Sequence, residues 1–436
     1  LFSEEFFADP PKKWEARYDN VYPTVLFDEE EGIFKLWYHT FLVDRGSNET
    51  PLEQRQHVEY RGGRREDGLL YATSKDGLVW EKPNLGIIPF NGSTENNIVM
   101  STASHGLHSG GVTKEMHDPD VARRYKYFHK NPVARRMAVA FSEDGLRWAD
   151  PIPWPEFNAA GDTHNNALWV PELGKYVGFT RAWSEGIRTV LRTESNDFIH
   201  WSEPVEIMRG QDKHDQIYSM PVFRCGNVFL GLPAMFHKGV ADAPDWDTVT
   251  TELAWSADTI HWQRICPGEP LIPLGQGHYP DGAYDCGCIY AAAPVIQGDT
   301  VSLYYGGSNG LHNNWREGSW NLATLPRDRF AGYVQENPGE KAFIQSTPLV
   351  AREPSLTVNV DIPNAGSLRI AVLDGDGSPV AGYGFANCLP MQSGGLAVCA
   401  HWQDKDFSEL AGRTIQLLFE LNSARLFAWG QSKAPE

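Results

Sequence analysis

The sequence predicts an all-β protein: a five-bladed β-propeller over residues 1–335, followed by a C-terminal β-sandwich over 336–436. Three observations predict it. A strand–turn–strand phrase recurs four times, as in Leu70-Tyr71-Ala72-Thr73-Ser74-Lys75-Asp76-Gly77-Leu78-Val79-Trp80. Its closing tryptophans, Trp80, Trp148, Trp201 and Trp262, stand 68, 53 and 61 residues apart. A worn fifth copy runs from Leu322 to Phe330, and beyond it the phrase disappears. One supersecondary unit repeated at such intervals means an array.

Each unit is completed backwards from its phrase. Unit one has strands at Tyr22–Phe27 and Phe34–His39, with the turn Asp28–Gly32 between them. Unit two has Gly111–Thr113 and Tyr125–His129, and unit three has Ala167–Val170 and Lys175–Phe179. Unit four has Met220–Arg224 and Val228–Leu232, and unit five has Ala293–Ile296 and Val301–Tyr305. Short alternating runs punctuated by Gly, Pro and Asn turns read as four antiparallel strands, A to D, per unit. Five such units arranged radially make a propeller. The Ser and Asp of each Ser-x-Asp turn are expected to close it by local side-chain bonds. After a linker at Glu336–Glu340 come alternating strands near Ser355–Val360, Ser367–Leu373, Leu396–Cys399, Ile415–Leu421 and Arg425–Trp429, the pattern of a sandwich.

Composition excludes several classes. The 436 residues carry a net charge of −18, which argues against a nucleic-acid partner. No apolar run reaches spanning length, so no membrane partner is expected. No signal-peptide pattern is read at Leu1-Phe2; the expectation leans to a secreted or periplasmic location, with the cytoplasm left open. The oligomeric state is not legible. The six cysteines show only one close pair, Cys286-x-Cys288, without partner ligand pairs, so no metal or other cofactor is expected.

Propeller topology places the starts of strands A and the ends of strands B on one face. Aligning Val25, Val112, Leu168, Val222 and Val295 puts Asp19 and Asp162 six residues upstream, and Asp215 seven upstream. Unit two has Gly106 at that height, flanked by His105 and His108, and unit five has Asp285 ten upstream. Three carboxylates on different blades would converge at the mouth of the axis. A carboxyl pair in unlike environments is what glycosidic cleavage needs, one protonated to donate and one ionised to attack or to activate water. Asp19, Asp162 and Asp215 are therefore the catalytic candidates. His39, His129 and Arg181 at strand-B ends join His164, Tyr218 and Asp285 as candidate substrate contacts. Trp315 is a candidate stacking platform for a sugar ring. The basic loop Asp44–Glu66, with Arg45, Arg55, Arg61, Arg64 and Arg65, overhangs the same face; it reads as an end wall, as an anion clamp or as a plain solvated loop.

From about Asp19 to Phe330 the chain resembles the five-bladed propeller glycosidases, the clan of glycoside hydrolase families 32, 43, 62 and 68. The resemblance rests on the phrase ending Ser-x-Asp-Gly-x-x-Trp and on Trp80-Glu81-Lys82-Pro83-Asn84-Leu85-Gly86 after it. It implies acidic residues at the inner starts of blades one to three, acting as nucleophile or base, stabiliser and acid. Asp19 matches the first and Asp162 the third. The departures are specific. Tyr18-Asp19-Asn20-Val21-Tyr22-Pro23 stands where family 32 has Asn-Asp-Pro-Asn-Gly, no Arg-Asp-Pro opens unit two, and no Glu-Cys opens unit three. The chain reads as an outlying group.

The expected function is glycoside hydrolysis by paired carboxylates at the propeller mouth. The substrate would be an oligosaccharide or glycoside, with exo action on furanosides or modified plant or algal sugars. The acid is Asp162, Asp215 or a histidine. The alternatives are a glycoside phosphorylase of the same architecture, using Arg181 and His129 for phosphate, and a non-catalytic carbohydrate-binding propeller.

Overall fold

A computed structural model describes residues 1–3, 12–239, 241, 243–337, 339–363 and 365–433; Pro338 of the expected linker lies outside the described residues. The regular secondary structure of the described chain is almost all β-strand, and the chain divides into two compact units. The first comprises Leu1–Val295 and Ser302–Ala323, the second Ile296–Val301 and Thr324–Glu436. No described helix is long and apolar enough to cross a membrane.

In the first unit the first three repeats form one sheet each. Thr24–Asp28, Ile33–Asp44, Arg65–Ser74 and Trp80–Glu81 pair in chain order, with Ile98–Ser101 added at the third strand. His108–Lys114, Tyr125–Asn131, Arg136–Ser142 and Ile152–Pro153 form the second sheet. Asn166–Val170, Lys175–Ser184, Ile187–Ser195 and Val205–Arg209 form the third.

The Ser-x-Asp turns behave as expected. In the first copy Asp76 Oδ1 accepts from Leu78 N and Val79 N, each at 2.8 Å, and from Ser74 Oγ at 3.0 Å. Asp144, Asp197 and Asp258 repeat the pattern in the other three. The residue after each Asp is left-handed: Gly77 and Gly145 at φ 73° and 75°, but Phe198 and Thr259 at 66° and 68°. Two copies therefore use the residue that adopts this conformation freely, and two hold a side chain there against its preference.

The fourth and fifth repeats depart from the expected separate four-stranded sheets. Val222–Cys225, Val228–Gly231, Leu253–Ser256 and Trp262–Ile265 make a short fourth sheet. The other halves of its first three strands, Asp215–Ser219, Ala234–His237 and Thr248–Thr251, cross into an eight-stranded sheet. There they join Cys288–Ala291, Thr300–Ser308, Gly318–Pro326 and the N-terminal Phe2–Ser3, with Val295–Gln297 pairing Thr300–Ser308. Proline explains two of the three breaks. Pro221 and Pro233 have no N–H to give the ladder, so it is interrupted where they stand.

The sheets bury most of both faces, as the unbroken burial of Phe34–Leu42 along one strand shows. Successive residues of one strand serve different cores. Leu36 and Tyr38 pack with Tyr304 and Trp320 of the eight-stranded sheet, while Trp37 packs with Tyr125 and Tyr127 of the second sheet. Phe128 and Val139 then pack with Tyr176 and Trp201, and Val177 and Phe179 with Val222 and Phe229.

The second unit has two sheets around one core. Ala342–Gln345, Thr414–Asn422, Leu349–Val350 and Ser367–Asp374 form one; Gly395–Cys399, Ser355–Asp361 and Arg425–Ser432 form the other. Every second residue points inward: Leu356, Val358 and Val360; Leu368, Ile370 and Val372; Ile415, Leu417, Phe419 and Leu421.

Candidate functional site

The segment Arg17–Tyr22, just ahead of the first sheet, is the floor of a cavity of about 360 Å3 in the first unit. Its backbone is held in an unusual shape. Asp19, Val21 and Tyr22 all have positive φ, of 52°, 61° and 39°. For a β-branched valine this costs about 1–3 kcal/mol and persists only where the surroundings enforce it. They do: His39 N donates to Val21 O at 2.6 Å, and Val21 packs over Gly306, where a Cβ would collide with its side chain.

Around Asp19 stand three guanidinium groups. Arg316 Nη2 donates to Asp19 Oδ1 at 2.6 Å, and Arg17 Nε lies 3.4 Å from the same oxygen. Burial alone would raise the carboxyl pKa, but Arg316, Arg17 and Arg65 together hold it well below the usual carboxylate range. Asn20 ties this group to the aromatic lining: its amide accepts from Arg316 at 2.9 Å and donates to the hydroxyls of Tyr22 and Tyr218 at 2.8 and 3.1 Å.

Opposite chemistry fills another part of the same lining. His108 has a carboxylate on each ring nitrogen, Asp67 Oδ1 at 3.2 Å and Asp162 Oδ1 at 2.9 Å. Burial works against its charge, yet these two bonds push its pKa up to about 10, so it is an imidazolium donating to both. Asp162 also forms an ion pair with Arg181, 2.7 Å from Nη2 to Oδ2. Desolvation is again outweighed, here by His108 and Arg181, and Asp162 is held ionised well below the usual range.

The sequence-predicted residues divide into two groups. Asp19, Asp162, His39 and Tyr218 line this cavity, and Arg181 braces it through Asp162. His39 is buried, with Nε2 2.7 Å from the Tyr127 hydroxyl, and desolvation lowers its pKa, so the ring is neutral. The others fall outside the lining. Asp215, expected at the rim, lies 2.9 Å from His237 Nδ1, and that imidazole reaches Thr250 Oγ1 at 2.9 Å on its other nitrogen. His129, expected as a strand-B rim group, is buried against Tyr127, with Nδ1 donating to Lys130 O at 3.0 Å; burial lowers its pKa to about 4. His164 is buried beside Tyr22, and burial lowers its pKa to about 3. Asp285 accepts from the Tyr305 hydroxyl at 2.8 Å. Trp315, expected as an exposed stacking platform, is only 3% exposed. Its indole donates to Val58 O at 2.8 Å and packs edge-on against Tyr60 and under Arg55, pinning the basic loop. Its aromatic surface is spent on that loop, since an indole buried with its N–H satisfied has no face left for a ligand.

Sequence reasoning missed Arg17, Asp67 and Arg316, and put Arg65 only in a general clamp. The topology that placed strand-B ends at this face also places strand-C starts there, and Asp67 is the third residue of Arg65–Ser74. Arg316 follows directly on the polar stretch Gly306–Trp315. Among the described residues, no group of three or more His, Cys, Asp or Glu side chains is arranged to hold a metal ion.

No family model matches the chain, and no curated protein matches it. Solved structures do. An N-acetylgalactosamine deacetylase from F. plautii, determined with blood group B trisaccharide, has 14% identity and a TM-score of 0.50, over 75% of this chain and 95% of that one. A glycosyl hydrolase from Bacteroides ovatus has 17% identity and a TM-score of 0.44, over 71% and 84%. A glycoside hydrolase of the GH130 mannoside phosphorylase family, acting on β-1,2 linkages of Candida mannan, has 15% identity and a TM-score of 0.43, over 71% and 85%. At 14% identity and a TM-score of 0.50 the likeness to the deacetylase is one of fold alone.

Proposed function

We propose that the chain is a carbohydrate-active enzyme, a glycoside hydrolase, with its site in the cavity above Arg17–Tyr22. The observation that carries this reading is a pairing of opposite roles in one cavity: an ionised carboxylate, Asp19, and a protonated imidazole, His108. Cleavage of a glycosidic bond needs a base or nucleophile and a proton donor on either side of the scissile bond. Asp19 takes the first role. His108 takes the second through its Nε2–H, which the leaving oxygen takes over from Asp162, while Asp67 holds Nδ1 and orients the ring. Asp162 is ionised and so is not itself the donor in the free protein, while Asp215 has no part in this scheme. Tyr22 and Tyr218 line the same cavity, with their hydroxyls held by Asn20.

The fold reading that accompanies it is a five-bladed propeller followed by a β-sandwich, with residues 1–335 and 336–436 as the two domains. Two features support it. The N-terminal Phe2–Ser3 pairs with Gly318–Pro326, and the sheet those strands share packs on the first one. Exo action on a furanoside or modified plant or algal sugar is the specificity proposed, supported by the basic loop that reaches the cavity through Tyr60, Gly62 and Arg65.

A panel of oligosaccharides and aryl glycosides, scored for released reducing ends, tests the reading. Native protein should cleave at least one, and Asp19→Asn and His108→Gln should each lower turnover by roughly 10²–10⁴-fold. Glycan binding with no product from any substrate would replace it with the carbohydrate-binding alternative.

A further inference from the structure

The cavity's charges are not evenly shared. Beside Asp162 two cations, His108 and Arg181, meet two carboxylates, Asp67 and Asp162. Beside Asp19 three guanidinium groups, Arg17, Arg65 and Arg316, meet Asp19 and, behind Arg65, the buried Asp44. A third carboxyl, the buried Asp247, sits in the field of Arg316, so the three guanidinium charges are matched in number; Asp44 and Asp247 stand behind the wall, and at its cavity face Asp19 is the carboxylate that shares the lining with the three cations. Three guanidinium groups gathered at one face run against the field of the whole molecule, whose net charge is −18 and which repels anions.

The donors on that wall are also incompletely used. Arg17 is buried, and its Nη1 has no hydrogen-bond partner among the described residues; nor has Nε of the buried Arg316. Arg65 is the accessible member, with its side chain 40% exposed. Its Nε bonds Asp44 at 3.3 Å and its Nη2 bonds the Tyr60 hydroxyl at 2.7 Å, which fixes the guanidinium plane against the Phe41 and Tyr60 rings. No bond from Arg65 Nη1 is found among the described residues. A pre-oriented guanidinium with a free edge suits a planar oxyanion.

We propose that the Arg17–Arg65–Arg316 wall binds an oxyanion carried on the glycan itself, the carboxylate of a uronic acid. This deepens the hydrolase reading and rests on it for the fate of the bound sugar, but the anion site stands on its own donors. Free inorganic phosphate has related chemistry and would instead serve phosphorolysis.

The test is calorimetric titration of galacturonate, glucuronate, galactose, glucose and inorganic phosphate into native protein, Arg65→Gln and Arg65→Lys. Arg65→Gln should fold, because Asp44 keeps Ser47 N, Ser47 Oγ and the Tyr60 hydroxyl as donors at 3.0, 2.6 and 2.8 Å. Uronates should bind native protein at least tenfold more tightly than their neutral counterparts and more weakly as salt rises. Arg65→Gln should remove most of that gap, and Arg65→Lys should restore part of it. Equal binding of charged and neutral sugars, no uronate binding, or an undiminished gap in Arg65→Gln would overturn the proposal. So would turnover that requires phosphate together with displacement of uronate by phosphate. Cleavage of neutral glycans alone would leave the hydrolase reading intact and remove this one. A clear uronate preference without cleavage of any glycan would do the reverse.

Discussion

Two sets of aspartates in the first unit carry the same electrostatic signature for different reasons. In the four repeat turns, Asp76, Asp144, Asp197 and Asp258 have lowered pKa values because neighbours two or three residues away bond the carboxylate. At the cavity, Asp19 is held ionised by Arg316, 297 residues distant, and Asp162 by His108, 54 residues distant. A depressed carboxyl pKa therefore does not by itself mark a site. What distinguishes the cavity is the source of the depression: it includes cations brought from far along the chain, Arg316 to Asp19 and His108 to Asp162, which local structure alone would not supply.

That contrast can be broken experimentally. The largest separation is expected in turnover. Asp19→Asn should cost roughly 10²–10⁴-fold on a cleaved substrate, while Asp258→Asn should leave the rate within about twofold, since it touches no substrate. A comparable loss in both would erase the distinction. The next effect is on stability. Arg316→Met leaves Asp19 without its closest cation, and breaking a buried pair costs about 3–5 kcal/mol. Urea unfolding at pH 7 measures it, and a change under 1 kcal/mol would mean that the pair is not buried as described.

The pH dependence sharpens the same comparison. His39, His129, His164 and His312 have folded pKa values lowered chiefly by burial, so the unfolded chain binds protons that the folded one refuses. Stability should therefore fall as pH drops below about 6.5, by up to roughly 1.4 kcal/mol per pH unit for each histidine. Asp19 and Asp162, with lowered pKa values, add stability above the ordinary carboxylate range and lose it only at still lower pH. His108 has the opposite sign: its stabilisation is complete below about pH 6.5 and is lost as pH rises through about 10. Unfolding midpoints at pH 5, 7 and 10 should show losses on both sides, and a flat profile from 7 to 5 would contradict the buried neutral histidines. The smallest effect belongs to the turns. Asp144→Ala removes bonds to Leu146 N and Arg147 N and should cost about 1 kcal/mol, with activity unchanged.

The same division decides what could be read from the chain. The repeat phrase made the turns legible in full, because every donor and acceptor involved lies within five residues. Strand alternation likewise placed most of the first three sheets and the inward residues of the second unit. The crossing of unit four's strands into the eight-stranded sheet was hidden, although Pro221 and Pro233 marked where the ladder would be interrupted. At the site, alignment of strand-A starts put Asp19, Asp162 and Asp215 at one height; the structure brings Asp19 and Asp162 to one cavity and leaves Asp215 outside its lining. One residue's drift along a strand changes which face a side chain serves. Trp315 looked like a platform and is a buried anchor, a difference that hydrophobicity alone does not encode.

Sequence by itself determined the β architecture, the repeat and its turn chemistry, and the presence of acidic residues ahead of successive units, because all of these are set by near neighbours and by a period of two. Only the tertiary structure decided that His108 carries the proton, that Asp162 does not, and that Arg65 and Arg316 come from distant segments to join Arg17 around one carboxylate. Protonation state is a property of what is buried beside a group, and burial is settled only when the sheets have packed.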